Sequence, residues 1–315
     1  MQAFLIRRLL LAIPVLFVVS LVVFILTNWL PGDAALARFG EEGIDQQRYE
    51  ALRAEMGLDR PAPVRYFQWV GDTLRGDFGN STRNKQPVSE LIATRFPVTL
   101  QLAVTSLIVA LLISIPAGII SAMRPGSIVD RVVTVLAVAG VAMPSFWLAV
   151  LLILLFSLRL NWLPPSGWAY FTDSPLQAMK LLIMPSLVLG TASAASLMRH
   201  LRSSLGEELR QAYVTVAHAK GLANRRVVFR HALKNAMIPV ITMIGLQIGH
   251  LLGGSVIVET MFGLPGLSRA TVDAILSRDL PVLQATVLFA AVTVVVANLL
   301  TDVCYAWLNP RIRYS

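Results

Sequence analysis

Charge and cysteine are both scarce in this chain. Of its 315 residues only 14% are charged, and Cys304 is the single cysteine. One cysteine excludes an intrachain disulfide, so Cys304 reads as a small packing residue near the end of the last apolar stretch. None of the four lysines follows a glycine: Lys85, Lys180, Lys220 and Lys234 come after Asn84, Met179, Ala219 and Leu233. A P-loop requires Gly-Lys, so no nucleotide site of that kind is expected. There is no His-Glu-x-x-His zinc motif and no Gly-x-Ser-x-Gly elbow. His200, His218 and His231 fall among Arg and Lys, where local positive charge disfavours a metal. Neither catalytic residues nor a metal site are expected. The period-2 alternation of a membrane barrel is also absent.

What the chain has instead is apolar length. It is 56% hydrophobic, a composition suited to a polytopic membrane protein. Six uncharged windows, 9–32, 96–123, 132–158, 181–198, 235–258 and 280–301, each hold at least 18 residues. A helix needs about 20 to cross a bilayer core. Lipid offers the backbone no hydrogen-bond partner, so each window is expected to be helical. The first has a basic start, Arg7 and Arg8, and a cleavage-like Ala35-Leu36-Ala37. Secretory apolar cores run only about 7–15 residues, and this one reads as a retained helix. The fold class is all-α, with six transmembrane helices.

Lys and Arg placement sets the orientation. Arg7, Arg8, Arg124, Arg131, the eight between Arg199 and Lys234, and Arg311 and Arg313 fall on one side of a six-helix threading. Of the other 13, nine lie in the long connection 33–95, beside ten acids. Both termini are therefore expected in the cytoplasm. Orientation also accounts for the net charge of +9, and no nucleic-acid partner is expected. The chain divides into an N-terminal helix (1–32), a periplasmic segment (33–95) and a core (96–315) with a cytoplasmic loop at 199–238. Within 33–95, Ile44, Leu52 and Met56 recur at near-helical spacing before Gly57. A second short helix begins near Pro63 and carries Tyr66, Phe67, Trp69 and Val70. Residues 75–81 are turn-rich, and 268–279 form a short amphipathic piece.

In the fifth window Gly245, Gly249 and Gly253 lie at i, i+4 and i+8, a low ridge for a neighbouring helix. Gln247, His250 and Gly254 fall roughly opposite. Polar groups at this depth face a protein interior or a water-filled path. Gln247 and His250 therefore either line a translocation pathway or make structural interhelical hydrogen bonds, and both readings stand.

Between Tyr213 and Pro239 runs a polar, basic stretch in which Ala217, Ala219 and Gly221 keep the surface low. Tyr213, Val214 and Phe229 offer apolar anchors. The order of Tyr213, Ala217, Ala219, Lys220, Gly221, Arg230, His231, Leu233, Asn235, Ala236 and Pro239 resembles the coupling loop of bacterial ABC importer permeases of the dipeptide, oligopeptide, glutathione and nickel systems. Further similar pieces are Leu30–Asp33, Gly57–Pro61, Gly76–Ser81 and Asn309–Arg313, so the likeness covers the whole chain. Thr215 and Val216 stand where the wider importer pattern has Glu-Ala, as the peptide and nickel subclass tends to show.

The resemblance implies a type I ABC importer permease fold with a cytoplasmic coupling helix, and a role as the first, B-type, permease subunit. ATP and Mg would be bound by two partner ATPases, with no cofactor in this chain. A second homologous permease and a periplasmic solute-binding protein complete the set, in the bacterial inner membrane. Tyr213, Ala217, Ala219, Lys220 and Gly221 would dock in an ATPase groove, with Arg230, His231 and Asn235 bracing the lever against the start of the fifth helix; Pro239 belongs to the same coupling set. Glu259 and the turn Phe262–Leu267 resemble an external gate-side loop, which adds Glu259 to the pathway candidates Gln247, His250 and Gly254. Competing readings are an ion-gradient-driven secondary transporter, a channel subunit and a membrane-embedded enzyme. The absence of metal-ligating clusters in the membrane tilts the cargo toward peptides.

Overall fold

The computed structural model describes residues 2–29, 50, 59–253 and 255–308, and side chains within 6–303 of these. The expected helix around Ile44, Leu52 and Met56, and the motifs Leu30–Asp33 and Asn309–Arg313, lie outside the described residues. Eleven helices matter here: α1 (Gln2–Trp29), α2 (Ala62–Leu74), α3 (Val88–Met123), α4 (Ile128–Ala142), α5 (Ser145–Leu152), α6 (Pro175–Glu208), α7 (Ala212–Ala219), α8 (Leu233–Gly253), α9 (Val256–Met261), α10 (Leu267–Leu276) and α11 (Leu280–Leu308). Among the described residues there is no strand, only an isolated bridge between Asn80 and Pro87. The fold is all-α.

Among the described residues, five helical stretches are long and apolar enough to span a bilayer: Ile6–Trp29, Val88–Met123, Pro175–Glu208, Asn224–Gly253 and Leu280–Val303. A sixth span exists if α4 and the helix that follows count as one. They bend by 104°, so the window 132–158 is not the straight helix its lack of charge implied. The cause is local. Pro144 forces the residue before it out of the helical region, and Met143 adopts φ −77°, ψ 121°. The chain then restarts as α5 and ends in a π-helical turn, Ile153–Arg159.

The chain packs as two compact units. One comprises residues 100–264 with the ends of the chain (1–5 and 294–315). Its centre is α6, the least exposed of the spans. Small residues let α6 approach its neighbours closely. A Cβ on Gly190 would lie 2.8 Å from the Ser106 carbonyl oxygen of α3, and one on Gly118 would lie 3.0 Å from Leu201. Leu197, Leu201 and Leu205 of α6 then form a core with Ile119 and Ala122 of α3 and Ala236 and Val240 of α8. The window 181–198 underestimated this helix, because α6 continues for ten more residues through Glu208. Its charged last turns project beyond the apolar stretch.

The second unit comprises 6–99 and 265–293. Most of α1 is exposed, as lipid contact requires, yet Ser20, Val23, Phe24 and Thr27 are buried at helical spacing. This stripe holds α2. The hydroxyls of Ser20 and Tyr66 lie 2.8 Å apart, and the Tyr66 ring meets Phe24 edge-on at 5.4 Å. Gln284 of α11 donates to Thr27 at 2.8 Å. The turn-rich stretch 75–81 uses Gly76 and Gly79 at φ +85° and +75°. It leads to Ser81, which donates to the Asp279 carboxylate, while Thr82 N–H donates to the same group at 3.1 Å.

Candidate coupling segment and cleft

The segment after α6 builds a short exposed helix on a rigid base. Helix α7 starts after Gln211 and ends where Gly221 takes φ +78°, a left-handed conformation that costs other residues roughly 1–2 kcal/mol. The Gly221 N–H caps the helix by donating to the His218 carbonyl at 2.9 Å. Val214 points inward and is 3% exposed, so it anchors α7 to its own subunit and is not free for a partner. Tyr213 and Val216 remain exposed on α7, as does Phe229 on the following turn. Ala219, Lys220 and Gly221 are exposed and Ala217 is half-buried.

The bracing network is smaller than the sequence suggested. Tyr213 O–H donates to Glu208 at 2.5 Å, and the Asn235 amide donates to Tyr213 at 3.4 Å. Burial, then the Glu208 carboxylate, push the Tyr213 hydroxyl above its usual range, so it stays a donor at neutral pH. Arg230 and His231 are exposed on a π-helical turn, Val227–Ala232, and neither makes a hydrogen bond or ion pair among the described residues. Val227 and Val228 from that turn are buried instead. Pro239 sits inside α8, leaving the Asn235 carbonyl without its i+4 N–H.

The candidate pathway residues separate. Gln247 and His250 line a cleft of about 490 Å³ with Ser193, Ser196 and Arg199 of α6. Within it Ser193 donates to Gln247 at 3.1 Å, so Gln247 both bridges the helices and faces the cleft. Glu259 does not line it: it is fully buried, and Ser255 donates to it at 2.8 Å. Gly254 lies outside the described residues. In the glycine ridge, a Cβ on Gly245 would lie 2.2 Å from Thr301 of α11, and one on Gly249 would lie 3.3 Å from Val294. One on Gly253 would meet nothing within 4 Å, so two of the three glycines sit against α11.

Asp130 was missed from sequence. It is 3% exposed in the first turn of α4. Arg202 of α6 grips it through Nε at 2.7 Å and a terminal nitrogen at 2.8 Å. Ser121 also donates to it, as does Gly126 N–H at 2.8 Å. One carboxylate thus ties the end of α3, the following turn, α4 and α6 together. The available signal was Ser127-x-x-Asp130, a helix-start pattern, and Ser127 does accept from the Asp130 N–H at 3.2 Å.

Comparison with known proteins matches this architecture. Residues 114–314 match the family described as binding-protein-dependent transport system inner membrane component, and residues 1–103 match its N-terminal component. The glutathione transport system permease protein GsiC of Escherichia coli (strain K12) is 43% identical over 318 residues. The oligopeptide transport system permease protein AppB of Bacillus subtilis (strain 168) is 42% identical over 317 residues. The dipeptide transport system permease protein DppB of Escherichia coli (strain K12) is 40% identical over 338 residues. In all three the match covers 100% of both chains. The chain belongs to this family: it is a multi-pass inner-membrane permease subunit of an ABC importer and not an enzyme. Membership decides against the ion-driven carrier and the uncoupled channel.

Proposed function

We propose that this chain is one of two non-identical permease halves that carry a short peptide or a related small solute inward. Two cytoplasmic ATPases would bind ATP and Mg and close on α7, and a periplasmic binding protein would deliver cargo. Both termini would be cytoplasmic, as the distribution of Lys and Arg favours. One observation carries the coupling role. Helix α7 is short and exposed, and its inner face is fixed by buried Val214 and by the Glu208–Tyr213–Asn235 chain. A helix held this way moves with α6 and α8, so a push on it reaches the membrane spans. ATP then biases a two-state bundle. The GsiC, AppB and DppB likenesses support cargo bearing peptide or peptide-like bonds.

The test is gentle extraction of the tagged chain and mass spectrometry of what accompanies it. The expected companions are a second permease and P-loop ATPases. A chain that purifies alone, stable and unaccompanied, would overturn the assembly. Uptake of labelled dipeptide, tripeptide and glutathione by cells with and without the chain then assigns the cargo.

A further inference from the structure

The cleft between α6 and α8 has an uneven charge. Arg199 and His250 stand near its two ends, Ser193, Ser196 and Gln247 lie between, and among the described residues no Asp or Glu lines it. The helices run antiparallel in fixed register, because Ser193 donates to Gln247 and Ser204 donates to the Ala236 carbonyl at 3.0 Å. On α6, Arg199 lies about 9 Å from Ser193 toward the α7 end. On α8, His250 lies about 4–5 Å beyond Gln247 in the other direction. The polar line is therefore roughly 14 Å long, about four residues of extended chain. Arg199 is exposed and makes no ion pair among the described residues. That differs from Arg202 one turn on, which donates to Asp130 through two of its nitrogens.

Arg199 is the first charge after the apolar stretch of α6, so its guanidinium at the end of the cleft is open to water and to a passing group. A carboxylate fits its fork of donors with two parallel hydrogen bonds. The geometry points to a carboxylate-recognising cleft: Arg199 provides the counter-charge for a carboxylate on the solute, and the His250 ring and Gln247 hold the polar groups behind it. This rests on reading the α6–α8 face as half of the pathway. It adds a chemical preference, that a solute with a free carboxylate and a length near that of a short peptide is favoured over its neutral analogue.

Two readouts on the complete importer in proteoliposomes test it. With Cys304→Ser as background, Ser196→Cys places a thiol one helical turn from residue 199. Its modification by anionic and cationic methanethiosulfonates is followed by mass spectrometry at position 196. The anionic reagent should react faster. Arg199→Gln should lower the anionic-to-cationic ratio about fivefold, the effect of one unit charge several ångström away, and Arg199→Lys should preserve it. An unchanged ratio in Arg199→Gln overturns the inference. The second readout is uptake of Ala-Ala and its C-terminal amide. Arg199→Gln should raise KM for the free acid severalfold and leave that for the amide unchanged. Equal effects on both also overturn it. If neither compound is taken up by the parent importer, the peptide reading fails, while the rate ratio still decides the charge preference of the cleft.

Discussion

At the scale of single residues, the Asp130–Arg202 pair is asymmetric, and the asymmetry makes a prediction. The Asp130 side chain is 4% exposed and that of Arg202 is 40% exposed. Removing the arginine strands a carboxylate in a dry site, whereas removing the carboxylate leaves a guanidinium that still reaches water. Orphaning a buried charge costs about 3–5 kcal/mol. Ser121 and Gly126 keep donating to Asp130, which places Arg202→Ala near the lower figure, about 3 kcal/mol. Asp130→Ala should cost less, about 1–2 kcal/mol. Thermal unfolding of the purified chain in detergent should rank them in that order, and the reverse order would show that Arg202, not Asp130, is the desolvated partner. The glycines of α8 give a second ranking. A methyl at Gly245 must displace Thr301, and overpacking of that kind costs about 1–3 kcal/mol. At Gly253 the same methyl meets open space and restricts the unfolded chain. Gly245→Ala should therefore lower the melting temperature while Gly253→Ala holds or raises it.

At the scale of elements, α7 depends on how it stops. Gly221 has a positive φ but open space around its Cβ position, so conformation and close approach by a partner can be separated by substitution. Asparagine tolerates the left-handed region, whereas valine does not. If only the backbone matters, Gly221→Asn transports and Gly221→Val does not. If a partner must approach the α-carbon closely, both fail, with insertion into the membrane unaffected, and Gly221→Trp fails outright. Uptake together with ATPase co-purification distinguishes these cases. Helix α7 was legible through the resemblance of its residue order to the coupling loop, which small residues, an apolar pair and a glycine carry locally. The membrane spans were legible because lipid excludes charge over some 20 residues. The bend at Met143–Pro144 was not, since a run without charge is silent about direction and only the proline hinted at it. Asp130 escaped notice because a charge at the edge of an apolar window reads as a boundary. Its three donors come from Ser121, Gly126 and Arg202, up to 72 residues away. The inward turn of Val214 and the burial of Glu259 depend on tertiary neighbours in the same way.

At the scale of the whole molecule, exposure and charge describe one arrangement. The large apolar side chains of α1 from Leu9 to Leu26 are mostly exposed, a surface soluble monomers rarely carry, and they fit a lipid-facing span. By the distribution of Lys and Arg we propose that the basic residues of 199–234 face the cytoplasm and that the loop holding Asn84 faces the outside. The proposed assembly adds a requirement: α7 would be covered by an ATPase while Asn84 would stay open to the outside medium. Single cysteines on a Cys304→Ser background read both. A cysteine at Asn84→Cys should react with a membrane-impermeant maleimide in intact cells. One at His218→Cys should react only after the membrane is opened. Co-expression of the ATPases should then slow labelling at 218 about tenfold or more, the protection given by a site about 1.4 kcal/mol or more in favour of the bound state, and leave labelling at 84 unchanged. Labelling of 218 from outside would invert the topology. Equal rates at 218 with and without the ATPases would remove α7 from the docking surface.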